Sequence, residues 1–240
     1  MLTTPDSFHV TLSLEKDLTD SPTNARPLIR NSKDIVSAFS DLIHLRREVM
    51  IAGAIDCKCR LIHYSLIGVG ACDHLLVRTG DAFHGASKSM ATGIFLVHNH
   101  PSGSGAPSRD DFKLTEQVAA AGLILGFALF DHVIIASEQC TSLLNPATLQ
   151  QHGHAVAKCK VMDRPGSANV GWTCSHCDTR QTELALSVEL ALKRGSCVPL
   201  NCSACNGVTW IHENRGGPQN VRARVTNHAS VPTLGMVAEQ

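Results

Sequence analysis

Residues 97–112 read VHNHPSGSGAPSRDDF, and between His98 and Asp111 they place two imidazoles and a carboxylate that could share one metal ion. His98 and His100 are two apart, so on an extended strand both side chains project from one face. Pro101 and the small residues after it let the chain curve away and return. Asp111, near the first turn of a following helix, can then supply a third, oxygen ligand. Two His and one Asp leave the fourth position of a zinc ion open to water, which is the arrangement of a catalytic site. Such an ion lowers the pKa of water to roughly 7 and polarises a carbonyl. A rival reading stands beside this one. H-x-H alone is a weak signal, and Ser108 with Asp111 forms an S-x-x-D capping box that satisfies early helix N–H groups without a metal.

Four of the ten cysteines form two C-x-x-C pairs, Cys174/Cys177 and Cys202/Cys205, with 24 residues between the pairs. Four thiolates complete a closed, structural zinc site, and such a site supplies folding energy to a module too small to depend on hydrophobic burial. The intervening segment reads as helical. A redox pair fits less well, because neither C-x-x-C has a preceding strand and a following long helix. Cys159, Cys197 and His176 are alternative ligands. Trp172 and Trp210 flank the pairs and either cover the metal or form an exposed recognition pair.

The elements that must position the first group follow from periodicity. Residues 1–30 read as a flexible leader, with a short edge strand in FHVTLSL. Asn31 caps a helix whose Ile35, Phe39, Leu42 and Ile43 repeat at helical spacing. Two apolar stretches on either side of DCKC form a hairpin, and DAFHGASKSMAT a short helix. GIFLVHNH is a strand ending in polar residues, DFKLTEQVAAAG a helix closed by Gly122, and GFALFDHVIIAS one or two strands. This succession indicates a layered α/β or α+β domain over residues 31–145, followed by a linker over 146–170, the cysteine module over 171–213 and a disordered tail over 214–240.

Lys plus Arg and Asp plus Glu both total 21, so no overall field attracts polyanions. Residues 1–154 hold 12 basic and 15 acidic side chains and residues 155–240 hold 9 and 6, a mild asymmetry. Arg180, Lys193, Arg194 and Arg215 offer modest phosphate contacts, and a single Tyr gives little to a base-stacking surface. The longest apolar run, Ala119 to Phe130, is too short for a membrane span, and no signal peptide opens the chain. A reducing cytoplasm is the expected location.

HNHPSGSGAPSRDD resembles the H-x-H, seven-residue, S-x-x-D signature of the JAB/MPN metal-dependent peptidases, and HNHPSG most closely resembles the bacterial RadC-like branch. The similarity runs forward through LTEQVAAAGLILGFALFDHVIIAS and back through LRREVMIAGAIDCKCRLIHYSLIGVG, covering roughly residues 31–140. It implies a three-layer α/β fold with a mixed sheet, related to the cytidine-deaminase architecture, and a zinc centre with His98, His100 and Asp111 as ligands. Glu48, in LRREVM, stands where that family has the glutamate that activates the water, and Ser108 where a hydroxyl meets the developing oxyanion or the water. On the residues alone, Glu48 is a solvated carboxylate beside Arg46 and Arg47, and Ser108 a cap. Asp131 and His132 match a D-H pair of the family. Neighbours on a strand face opposite sides, so Asp131 is expected as a supporting partner and His132 as a core or interface histidine, neither as a ligand. The first 30 residues leave no room for the helix-hairpin-helix segment usual in RadC-like proteins, which weakens the expectation of autonomous DNA binding.

The leading expectation is a hydrolase that cleaves a peptide or isopeptide-like amide, with one catalytic Zn2+ and one structural Zn2+ held by Cys174, Cys177, Cys202 and Cys205. Its partner would be a peptide or protein substrate. One alternative is a DNA-repair or mobile-element accessory protein that binds DNA or protein. The other is a non-catalytic interaction module. Nothing in the sequence indicates an oligomeric state.

Overall fold

A computed structural model describes residues 15–70, 77–154, 156–158, 160–164, 167–184, 197–201, 203–205 and 208–212. Alternating apolar runs become strands and amphipathic runs become helices in the expected order. They are β1 (Glu15–Asp17), α1 (Ser32–Ala38), β2 (Val49–Ile55), β3 (Leu61–Val69), α2 (Asp81–Lys88), β4 (Gly93–Asn99), α3 (Arg109–Leu125), β5 (Ala128–Ile135) and β6 (Thr141–Ser142). Together the strands make one mixed sheet in the order β1-β3-β2-β4-β5-β6. All its pairings are antiparallel except β4 with β5, which run parallel. Only that pair needs a long crossover, and α3 supplies it.

Strand alternation divides the core between the two faces of the sheet. Val49, Ile51 and Ile55 of β2 pack with Ile35, Val36 and Phe39 on one side. Met50, Ala52 and Ala54 pack with Ala82 and Phe83 of α2 and Phe112, Val118 and Ala119 of α3 on the other. The domain is therefore three layers, with α1 and the 3-10 helix Ser40–His44 opposite α2 and α3. Along β4 and β5 the register slips once. Ile94 faces Leu129 but Leu96 faces His132, so β5 carries one extra residue between these pairs.

Four sequence expectations change. FHVTLSL lies outside the described residues, and the edge strand seen is β1; residues 15–30 are tied to the sheet rather than a loose leader, with Leu18 and Ile29 buried. α3 does not close at Gly122 but runs to Leu125 and stops at Gly126, whose φ of 82° is the left-handed cap. Gly122 is small for another reason: a Cβ there would sit 2.5 Å from the carbonyl oxygen of Phe127. The expected linker over 146–170 is structured, because Asn145 caps α4 (Pro146–Gln151) and β7 (Val156–Lys158), β8 (Lys160–Arg164) and β9 (Ser167–Thr173) follow.

The fourth change concerns the segment between the cysteine pairs. Its first part is not helix but β10 (Arg180–Leu184), paired antiparallel with β9, which also pairs with β8. Residues 185–196 lie outside the described residues. β11 (Val198–Asn201) and β12 (Val208–His212) form a hairpin, and β12 runs parallel to β7. This second unit is seated on the first: β11 packs against α3, and Cys197 N donates to Leu144 O at 3.3 Å. The proposed tail over 214–240 also lies outside the described residues. Among the described residues, no helix is long and apolar enough to cross a membrane.

Candidate metal centre

β4 delivers His98 and His100 to one face at its C-terminal end, and the loop after it returns Asp111 on the first turn of α3. The His98 and His100 Nε2 atoms are 3.1 Å apart, and His98 Nε2 is 3.1 Å from Asp111 Oδ1. β2 and β4 are in register with Met50 opposite His98, which brings Glu48, two residues earlier, level with His100. The Glu48 carboxylate approaches His98 Nε2 to 3.9 Å. One ligand-capable atom from each of Glu48, His98, His100 and Asp111 falls within 4.8 Å of every other. His98 is fully buried, while the Glu48 and His100 side chains keep 15% exposure, so the cluster opens to solvent on their side.

The hydrogen bonds behind the cluster fix where the imidazole protons lie. His100 Nδ1 is 2.9 Å from the carbonyl oxygen of Ser104, which can only accept, so Nδ1 carries a proton and Nε2 is the nitrogen left to face the cluster. His98 is set through a longer chain. The Thr115 hydroxyl donates to the Asp111 carbonyl at 2.5 Å and is 2.7 Å from His132 Nδ1. With its proton committed there, Thr115 Oγ1 accepts from His132 Nδ1, leaving His132 Nε2 as an acceptor for His98 Nδ1–H at 2.9 Å. His98 Nε2 is therefore also the nitrogen turned to the cluster, and in both rings a cation there would displace only a proton shared with Asp111. Burial and the neighbouring histidine hold His132 well below the ordinary imidazole range, consistent with its neutral role.

Cap and ligand are not alternatives at Asp111, because its two oxygens divide the work. Oδ2 accepts from Ser108 N and Ser108 Oγ, both at 2.7 Å, and Ser108 Oγ accepts from Asp111 N at 3.1 Å, a complete capping box. Oδ1 is left facing His98. Burial pushes the Asp111 carboxyl upward, but hydrogen bonds from His100 and His98 outweigh it and hold the group far below the usual carboxylate range. Burial works against a charge on His100, and its bonds to Asp111 and Ser104 reverse the balance and raise it. Two imidazole nitrogens and two carboxylates facing one another form a donor set that a divalent cation fits in place of the shared protons.

The D-H pair is buried, with His132 a hydrogen-bonded core histidine and Asp131 a structural partner, and neither joins the ligand cluster. The extra residue in β5 turns His132 toward His98, whereas Asp131 faces away and accepts from Ser142 Oγ and His132 N, both at 2.8 Å. His132 also supports His98, a role the sequence reading did not give it, and Thr115 is the supporting residue that reading left out. The one available signal was Thr115 lying four residues after Asp111, on the same face of α3.

The first C-x-x-C occupies the turn between β9 and β10, and Cys205 the turn between β11 and β12. The thiols of Cys174, Cys177 and Cys205 lie within 4.8 Å of one another, with Cys174 and Cys205 3.6 Å apart. Cys202 and Cys159 lie outside the described residues. Cys197 is buried elsewhere and His176 is exposed, and neither joins the group. The Cys174 thiol is lowered to about 6: burial opposes this, but backbone N–H groups of His176 and Cys177 and the neighbouring thiols prevail. Trp172 and Trp210 are both buried, which removes them as an exposed recognition pair.

Three layers around this mixed sheet, with an H-x-H strand end facing an S-x-x-D helix start, define a JAB-type domain. The model of the RadC-like JAB domain matches residues 29–149, half of the chain, and the chain belongs to that family. It is 38% identical over 106 residues to a UPF0758 protein of Thermotoga maritima, a match covering 44% of this chain and 48% of that protein. It is 35% identical over 133 residues to a UPF0758 protein of Desulforamulus reducens, covering 55% and 59%. The chain thus spans about half the length of the relatives it matches.

Proposed function

We propose that the chain is a zinc-dependent hydrolase that cleaves a peptide or isopeptide-like amide. One observation carries the reading: at the partly open ends of the central strands β2 and β4, four groups with ligand-capable atoms converge, and each imidazole is anchored through Nδ1 with Nε2 turned to the cluster. Zn2+ bound by His98, His100 and Asp111 would supply the positive charge that acidifies water and polarises a substrate carbonyl. Glu48 takes the proton of the attacking water and delivers it to the leaving nitrogen, and its partial exposure suits a group that must meet both. Asp111 is held by Ser108, whose hydroxyl proton points to Oδ2; service to an oxyanion would require that hydroxyl to swing away, so Ser108 is assigned the positioning task. Cys174, Cys177 and Cys205, with Cys202 as the fourth thiolate, would hold a second Zn2+ that would fasten the two turns of the strand module together.

The test is a zinc-supplemented screen of peptide and isopeptide substrates with the parent and Glu48→Gln. The variant is expected to keep its zinc at the histidine site and lose turnover. Equal turnover in both proteins would remove Glu48 from the reaction. No turnover in the parent across the screen would remove the hydrolase reading.

A further inference from the structure

Asn99 stands between the two site histidines, and alternation turns its side chain to the opposite face of the sheet, where Val49 lies across from it. It is 1% exposed and makes three hydrogen bonds across about fifty residues of sequence. Its Oδ1 accepts from Val49 N at 2.9 Å, and its Nδ2 donates to the carbonyls of Arg47 at 3.0 Å and Leu45 at 3.2 Å. The partners fix which end of the amide is which, since two carbonyls can only accept and an N–H only donate. Two of these bonds fall on the residues immediately before and after Glu48. The Glu48 carbonyl itself accepts from Gly70 N at 2.8 Å.

Glu48 lies one residue before β2 begins, where the chain has just left a short 3-10 helix. Its place beside the histidines therefore depends on what holds the approach to the strand. We infer that Asn99 is the positioning residue for Glu48: one tripeptide, His98-Asn99-His100, sends both imidazoles to the metal face and anchors the proton-carrying carboxylate from behind. The side chain must both donate to carbonyls and accept from an N–H at one short reach. Asp offers no donor when ionised, and an aliphatic residue leaves the buried Val49 N–H unpaired and releases the part-buried carbonyls of Leu45 and Arg47. The inference rests on Glu48 being the proton carrier proposed above.

The test uses the full chain loaded with Co2+ and follows the pH midpoint at which the visible absorption of the ion in the histidine site changes. Glu48→Gln is expected to move that midpoint. Asn99→Ala is expected to keep the ion in the site, move the midpoint in the same direction and by the same amount, and add nothing when combined with Glu48→Gln. A midpoint unchanged in Asn99→Ala, or effects of the two substitutions that add, would overturn the assignment; so would a Glu48→Gln protein with the parent's midpoint, since the carboxylate would then not be at the ion. Should Asn99→Ala fail to fold, Asn99→Ser, which keeps one small polar group in the space, is read by the same criteria. The readout needs no substrate, so a protein that hydrolyses nothing but shows the shared midpoint retains the clamp and loses only the hydrolase reading.

Discussion

Replacing Thr115 with valine removes one hydroxyl from a fully buried position and nearly keeps the volume, yet it should weaken metal binding although Thr115 is not itself a ligand. The hydroxyl is the link that forces His132 to carry its proton on Nδ1. Without it that N–H loses its acceptor, at a cost of about 1–3 kcal/mol, and His132 gains by moving the proton to Nε2. A proton there faces His98 Nδ1, which must then accept, and the His98 proton is displaced to the nitrogen that should bind the ion. Outer partners of metal-bound imidazoles change affinity by roughly 10–100-fold, in line with that cost. The assay is a Zn2+ competition titration against a chromophoric chelator, with Co2+ spectra to separate the histidine site from the thiolate site and long-range 1H–15N NMR to read the tautomers. We expect weakened binding at the histidine site and a changed His98 tautomer, while His100, set by Ser104, stays as it was. Unchanged affinity with the His98 proton still on Nδ1 would refute the relay.

Two other perturbations test separate parts of the fold. Cys174→Ser is expected to lower the zinc content from two ions to one and to make the strands after residue 156 sensitive to protease, with the histidine site still loaded; stoichiometry by elemental analysis checks it. Asp131 has its carboxyl pushed up to about 7 by burial, against the opposing hydrogen bonds from Ser142 and His132 N. A folded state that holds this proton more tightly than the unfolded chain loses stability as pH rises from about 4 to about 7, with no further loss from this group above that. Asp131→Asn should remove that slope, so the variant gains on the parent across the window by up to about 4 kcal/mol, and parallel denaturant titrations across the same pH range should show the gap widening. A constant gap would show that Asp131 does not bind its proton more tightly in the folded chain.

Periodicity was enough to locate the long elements, because β2, β3, β4 and α3 each bury one face or both against the two faces of one sheet. It was not enough for β1, whose three residues are too few to show alternation and which is held by pairing with β3. The end of α3 was misread because a glycine that makes room for the Phe127 carbonyl looks, in sequence, like one that stops a helix. The cluster of Glu48, His98, His100 and Asp111 was visible from types and spacing together with the family resemblance. What supports it was not, since Asn99 acts through backbone groups of a segment remote in sequence and Thr115 acts through another side chain. The strand character of the module after residue 156 was hidden because a helical composition between two cysteine pairs says nothing of the neighbours available for pairing.

The slip between β4 and β5 decides the electrical character of the wall behind the metal ligands. Were the register of Ile94 with Leu129 to run on unbroken, Leu96 would face Asp131, and Asp131 would take the place beside His98 that His132 now holds. A neutral ring that hands on a proton would be exchanged for a carboxylate that competes for the cation's charge. The extra residue between Leu129 and His132 thus keeps a neutral imidazole, and not a carboxylate, behind the ligands.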